Sequence, residues 1–198
     1  MPKPCFKLNT FSASEAEYVT GISKGMQRVW RQRGHLPAVE GHARFNIFDL
    51  AEMYALAAFT HLRLGPEFSQ KFARQLGDSI AYRALQVIPS YQNWSDDLSD
   101  ANIHNEICVA FGRLAHPEKF FVIWHDETAE FTDDLNATFD WKMDDTRKIA
   151  LKQGAPALVL NVDQIGVQFA PWERSSSDPP MPAVAFRPFV RLLQEGEG

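Results

Sequence analysis

The signals for two short helices within residues 11–34 constrain the fold of this chain more than any other feature. Ser12 and Glu15 have the spacing of a capping box, in which two side chains satisfy free backbone N–H groups at a helix start. Gly21 follows as a helix stop, because glycine readily adopts the left-handed conformation that ends helices. Ser23 then caps a second helix. Two short helices joined by a glycine-containing turn predict a helix-turn-helix unit.

The second of these helices is basic, although the whole protein is acidic. The formal net charge is −5, but residues 1–83 carry 11 Lys and Arg against 7 Asp and Glu. Residues 84–198 carry 9 against 18. This asymmetry indicates two functional parts, the first of which suits a polyanion. Two ordinary solvated surfaces would explain the same charges.

Trp30 is predicted to anchor the second helix against the first, with polar side chains turned away from it. These polar side chains are the candidate DNA contacts of the helix: Lys24, Gln27, Arg28 and Arg31. A helix of this size fits the major groove, where Arg pairs with guanine and Gln with adenine. Lys24 stands at the helix N-terminus, where backbone N–H groups attract phosphate. A solvated basic face is the alternative.

A small wing and a third helix are predicted to follow. Residues 35–45 read as two short strands around a turn at Gly41, with Arg44 projecting toward phosphates or a minor groove. Asn46 and Asp49 form a further capping box, with Asp in place of the usual Glu. The core stripe expected along this helix consists of Leu50, Met53, Tyr54, Ala57, Ala58 and His61.

The order of these elements resembles the winged-helix DNA-binding domain of MerR-type transcriptional regulators, over about residues 8–76. The matching segments read SEAEYVTGIS, VWRQRGHLP and GHARFNIFDLAEMYALAAFTHLRLG. The resemblance implies that Arg28 is the recognition-helix arginine, Trp30 a buried aromatic residue and Arg44 the arginine of the wing. Gln27 departs from the family, in which this position is usually apolar, so the helix could be rotated or locally repacked. The long dimerising helix of the family is not obvious.

Residues 66–88 are predicted to form a connecting helix that begins at Pro66. Its apolar side chains recur every four residues: Phe68, Phe72, Leu76, Ile80 and Ala84. Gly77 is expected to weaken its middle by about 1 kcal/mol relative to Ala. The stripe has two open uses. It packs against the flanking domains, or it forms a dimer contact, since two-fold regulators read paired half-sites.

Residues 90–198 are predicted to form a mixed α+β domain. A helix is expected over residues 99–115, with Ile103, Ile107, Phe111 and Leu114 on one side. Strands are expected in KFFVIWHD, AEFTDDLNATFDW and APALVLNVDQIGVQF, and a short helix in TRKIALKQG. SYQNWSDDLSD and APWERSSSDPPMP are predicted to be a connection and a loop, and VAFRPFVRLLQ is a strand or a helix.

No segment predicts catalysis or a metal site. His104 and Cys108 lie one helical turn apart, and His125, Asp126 and Glu127 are consecutive, but zinc requires more ligands than these sets supply. Catalytic and phosphate-loop motifs are not found, so we expect no enzyme, cofactor or metal. The 13 aromatic residues of 90–198 suit a small apolar or cationic ligand, or simply a core. With no long apolar run, a cytoplasmic protein is expected.

The sequence therefore predicts an α+β chain with a MerR-like winged helix-turn-helix domain (8–65), a connecting helix (66–88) and an α+β domain for effector, partner or self (90–198). The expected function is that of a homodimeric, sequence-specific transcriptional regulator that binds double-stranded DNA. The alternatives are a phage-type DNA-architectural or packaging accessory protein, similar to an excisionase, and a winged-helix module that binds protein.

Overall fold

The computed structural model of the chain describes residues 5–37, 41–87, 91–92, 103–114, 116–139, 157–169 and 189–193. The helices are α1 (Ala13–Thr20), α2 (Lys24–Gln32), α3 (Ile47–His61), α4 (Pro66–Leu85), α5 (Ile103–Ala110), α6 (Leu135–Phe139) and α7 (Val162–Phe169). The strands are β1 (Cys5–Leu8), β2 (Phe11–Ser12), β3 (Arg44–Phe45), β4 (Tyr91–Gln92), β5 (Phe120–Ile123), β6 (Ala129–Thr132), β7 (Leu158–Asn161) and β8 (Val190–Leu193). The predicted α+β class is confirmed. None of the described helices combines the length and apolar character needed to span a membrane.

The predicted helix starts are confirmed. Ser12 and Glu15 form both hydrogen bonds of a capping box at α1, which ends at Gly21 with a φ of 73°. Ser23 accepts a hydrogen bond from the backbone of α2. Asn46 caps α3, and its capping box is completed by the third residue of the helix. Local chain chemistry therefore sets the boundaries of these three helices.

The strands form three small sheets. Strand β8 lies between β1, to which it is antiparallel, and β4, to which it is parallel. Strand β5 lies between β6 and β7 and is antiparallel to both. The pair β2–β3 joins Phe11 to Phe45 and Ser12 to Arg44. The segments before α1 and α3 are thus held side by side.

The predicted hairpin within residues 35–45 is wrong in its described part. Strand β3 pairs with β2, and His35 and Leu36 form a bend. The backbone N–H groups of both residues reach the carbonyl oxygen of Trp30, at 2.8 and 3.4 Å, and Leu36 is buried. These bonds close the end of α2, so the bend is not available as a strand. Residues 38–40 lie outside the described residues.

Helix α3 is the centre of the core. Its buried side chains extend around most of the helix: Ile47, Phe48, Leu50, Ala51, Met53, Ala55, Leu56, Ala57 and Phe59. The predicted stripe is confirmed at Leu50, Met53 and Ala57, and it is wrong at His61, which is exposed in the last turn. A helix that is covered on most sides is apolar around most of its surface and has no single apolar stripe. The predicted stripe therefore included too few of the buried residues of α3.

Helix α4 packs closely against α3. Phe72, Leu76, Ile80 and Ala84 are buried, as predicted for the core use of the stripe. A Cβ atom on Gly77 would lie 2.7 Å from the backbone N and Cα atoms of Glu52 in α3. Gly77 therefore allows the two helix backbones to touch. The sequence-based prediction considered only the low helix propensity of glycine and did not include this contact.

Helix α4 also contacts the C-terminal part of the chain. Gly166 of α7 is buried against α4, where an added Cβ atom would meet the Cβ atom of Arg83 and the carbonyl oxygen of Ile80. Arg83 forms an ion pair with Asp163 at 3.3 Å and donates a hydrogen bond to the carbonyl oxygen of Pro117. One core cluster extends from Phe11 to Val190. The divisions at 8–65, 66–88 and 90–198 stay a prediction.

The C-terminal strands are shorter than predicted. The later halves of two predicted strands fold as helices α6 and α7. Helix α5 ends at Ala110, before Gly112 with its φ of 65°, so the prediction that Phe111 and Leu114 share the inward face of a longer helix is wrong. These side chains are 37% and 71% exposed. The last predicted element contains strand β8. TRKIALKQG, APWERSSSDPPMP and nearly all of SYQNWSDDLSD lie outside the described residues.

Candidate nucleic-acid interface

The inward face of α2 consists of Gln27 and Trp30, which are 0% and 8% exposed. The Nε2 atom of Gln27 donates hydrogen bonds to the carbonyl oxygens of Ala13 at 3.0 Å and Ile22 at 2.8 Å. The prediction that Gln27 faces outward and contacts DNA is therefore wrong. Gln27 precedes Trp30 by three residues, so the two share a helix face. Its amide joins α2 to the start of α1 and to the turn.

The outward face of α2 presents Lys24 and Arg28, which are exposed and one helical turn apart. The Nζ atom of Lys24 lies 3.5 Å from the Oγ atom of Ser14. Within the described part of the chain, neither cation forms an ion pair with a carboxylate. Met26, 43% exposed, lies between them in sequence and adds an apolar contact surface. This face can therefore bind an external anion without first breaking an ion pair.

Arg31 differs from these two cations because it is half-buried. Its guanidinium carbon lies 5.8 Å from the centroid of the Phe45 ring in β3. Its Nη1 atom is closed to solvent and has no hydrogen-bond partner among the described residues. Arg31 thus connects α2 to β3, a contact that the sequence analysis did not predict.

Arg44 is exposed, and the next residue, Phe45, is 4% exposed. The alternation follows from the pleat of a strand, in which successive side chains point to opposite faces. Phe45 packs under Arg31 of α2, and Arg44 extends from the other face of β3. The structure therefore leaves three predicted contacts exposed: Lys24 and Arg28 on α2, and Arg44 on β3.

An acidic group lies behind β3, between α3 and α4. A cavity of about 100 Å³ is lined by Leu36, Pro37, Arg44, Phe45, Asp49 and Glu52. Burial raises the pKa of both carboxyl groups, against the opposing attraction of Arg113. Arg113 also contacts Asp78 at 3.2 Å, and burial raises the pKa of that carboxyl as well. The three acids thus surround Arg113, and two of them line the same cavity as Arg44.

The two residues of α5 that were considered for metal binding are packed within the fold. Cys108 is fully buried, and burial raises the pKa of its thiol to about 12, so it stays protonated at neutral pH. The ring of His104 packs edge-on against Tyr82 at 6.4 Å. Among the residues that the structure describes, no group of three His, Cys, Asp or Glu side chains is arranged for a metal ion.

The run His125, Asp126 and Glu127 forms the turn between β5 and β6. The Oδ1 atom of Asp126 accepts hydrogen bonds from the backbone N and the hydroxyl of Thr128, at 3.0 and 2.6 Å. Glu127 pairs with Lys71 of α4 at 3.3 Å. The trio thus belongs to a turn whose acidic side chains are held by contacts within the chain.

The aromatic residues described in the C-terminal part are used in packing. Trp124 is 2% exposed, and its Nε1 atom donates to the Oε1 atom of Glu130 at 2.9 Å. Its ring lies 5.2 Å from that of Phe139, and the rings of Phe121 and Phe131 are 4.6 Å apart. The other three Trp residues of this part lie outside the described residues, so the predicted ligand stays a prediction.

No protein-family model matches this chain, and no curated protein matches it.

Proposed function

We propose that this chain is a sequence-specific, DNA-binding transcriptional regulator whose first third is a winged helix-turn-helix domain of the MerR type. The observation that carries the proposal is the exposure of three cations, Lys24, Arg28 and Arg44, on α2 and β3. These cations lie on a helix and an adjoining strand, and none forms an ion pair within the described part of the chain. An acidic protein that keeps these cations exposed and without ion pairs is suited to a polyanion.

The roles of the three cations follow from their positions. Helix α2 enters the major groove, where Arg28 forks onto the O6 and N7 atoms of guanine. Lys24, in the first turn of α2, binds a phosphate together with backbone N–H groups. Arg44, on the wing strand, contacts the backbone or a narrow minor groove. Arg28 thus selects the sequence, and the other two fix the position of the protein on the duplex.

The regulator acts as a cytoplasmic homodimer in this proposal. Two copies related by a two-fold axis place two α2 helices in successive major grooves, and the site is then a pair of inverted half-sites about one helical turn apart. The exposed apolar side chains after α5, Leu114 and Phe111, add surface available to a second copy. The spacing of the half-sites therefore reports the distance between the two α2 helices of the dimer.

Recovery of genomic DNA on the purified full-length protein tests the proposal. We expect enrichment of one or a few promoter sites, and loss of this enrichment in the double variant Arg28→Ala/Arg44→Ala. Lys119→Ala is the matched control, because it removes an exposed cation from a different surface. Clusters of bound sites at recombination or packaging loci would instead support the DNA-architectural function. Recovery no greater than that of the double variant would contradict DNA binding and leave the protein-binding module.

A further inference from the structure

We propose that Arg31 positions the wing strand β3, and with it Arg44, without itself binding a phosphate. This inference rests on the proposed function for its DNA readout. It gives Arg31 a role different from that of Lys24 and Arg28, although all three belong to the same basic run of the sequence. Arg31 is thus a positioning residue that acts through Phe45.

The burial of Arg31 is the first reason. A guanidinium binds phosphate best with two parallel N–H groups facing the anion. In Arg31, the Nη1 atom is closed to solvent, and the guanidinium lies over the Phe45 ring at 5.8 Å. An atom that water cannot reach is also out of reach of a phosphate oxygen. Lys24 and Arg28 are exposed and have no such obstruction.

The shortness of the β2–β3 pair is the second reason. Only two residue pairs join these strands, and a two-stranded ribbon is marginal without packing on one face. The packing comes from Phe11 and Phe45, which are 2% and 4% exposed. Arg31 covers the Phe45 ring from α2, and a cation over an aromatic face is attracted by the ring quadrupole. Fixing the Phe45 ring inward fixes the neighbouring Arg44 outward.

The first test needs no DNA. In the full-length protein, amide hydrogen exchange of residues 44 and 45 is measured by NMR for the parent, Arg31→Ala, Arg31→Met and Arg28→Ala. We expect exchange about two- to fivefold faster in Arg31→Ala, as for loss of one cation–aromatic contact. Arg31→Met covers the ring with a thioether, whose contact with an aromatic ring is worth about as much as that of the cation, so it should exchange like the parent, as should Arg28→Ala. Unchanged exchange in Arg31→Ala would overturn the proposal. If Arg31→Ala does not fold, Arg31→Gln replaces it.

The second test uses the DNA site recovered above. Under the proposal, Arg31→Met binds with nearly the parent affinity and the parent salt dependence, whereas Arg31→Ala loses affinity several-fold. A phosphate contact would instead be lost in Arg31→Met, and the magnitude of the salt slope would fall by about 0.9. That result would overturn the positioning role. If the parent binds no DNA, the proposed function fails, and the exchange measurement still decides whether Arg31 holds β3.

Discussion

Helices α2 and α4 each stand out in the sequence, α2 by its basic residues and α4 by its apolar stripe. The basic residues of α2 are mainly exposed, whereas the apolar stripe of α4 is buried. In α2 only Gln27 and Trp30 are buried, and Lys24 and Arg28 are exposed without ion pairs among the described residues. In α4 the apolar stripe is buried between α3 and α7. Two of its basic residues form ion pairs with other parts of the chain, Lys71 with Glu127 and Arg83 with Asp163, each at 3.3 Å.

This difference indicates which substitutions should change binding and which should change stability. Substitutions on the outer face of α2 should change the binding of an anion and leave folding intact, because these side chains contribute little to the core. Substitutions on the inner face of α2 or along α4 should change folding first. The predictions that follow test this separation in order of the expected effect.

The largest effect is expected for Trp30→Ala, on the inner face of α2. Truncation of a buried aromatic residue removes apolar contacts and leaves a cavity, so the free energy of unfolding should fall by about 3–5 kcal/mol. Chemical denaturation measures the change, with Arg28→Ala as the exposed control on the same helix. Equal stability of the parent and Trp30→Ala would show that α2 is not held by its inner face.

Gly77→Ala tests the close contact of α4 with α3. Helix propensity alone predicts a gain of about 1 kcal/mol. We expect a net loss, since a Cβ atom 2.7 Å from backbone atoms of Glu52 forces the helices apart and overpacking costs roughly 1–3 kcal/mol. Gly25→Ala in α2 is the matched control, because its Cβ atom would meet only the Oγ atom of Ser23, at 3.8 Å. Stabilisation by both substitutions would contradict the close contact.

Arg28→Ala and Arg44→Ala separate sequence reading from general binding. Loss of a base contact by Arg28→Ala should cost about 1–3 kcal/mol on the best site and relax the preference at one base pair per half-site. Arg44→Ala should weaken binding to all sequences about equally. Titration of each variant on the best site and on scrambled DNA measures both effects. Equal losses on both DNAs for Arg28→Ala would reassign Arg28 to a phosphate.

The smallest effect is expected for Glu52→Gln in the acidic group behind β3. Burial raises the pKa of Glu52 above its ordinary value of 4.5, so the ionised form costs stability at neutral pH and the protonated form does not. Glu52→Gln should therefore stabilise the protein slightly at pH 7, on the order of 0.5 kcal/mol. This gain should vanish as the pH falls below about 4.5. Denaturation at both pH values would show it, and a loss of stability at pH 7 would contradict it.

The sequence predicted what local chemistry determines. Ser12 with Glu15 and Asn46 with Asp49 mark helix starts because each pair forms hydrogen bonds within a few residues. Gly21 marks a helix end because few other residues adopt its φ of 73°. These features need no knowledge of the tertiary fold.

The sequence did not predict what depends on partners distant along the chain. Gln27 is polar and sits in a basic run, and only the apolar character of its position in the resembling family hinted at its burial. The partner of β3 is β2, more than 30 residues earlier, and no local pattern identifies it. The contact of Arg31 with Phe45 depends on this pairing, so local sequence patterns do not predict it either.

The salt dependence of DNA binding tests the central claim, that the exposed cations of α2 and β3 bind a polyanion, most directly. Each phosphate contact releases condensed counterions, and the backbone contacts made by Lys24 and Arg44 should together give a slope of log affinity against log salt of about −2 per subunit. The measurement is a titration of the full-length protein on the recovered site at several salt concentrations, repeated with Lys119→Ala as the control. A slope near −2 that is unchanged in the control supports the account, and a slope near zero would contradict it.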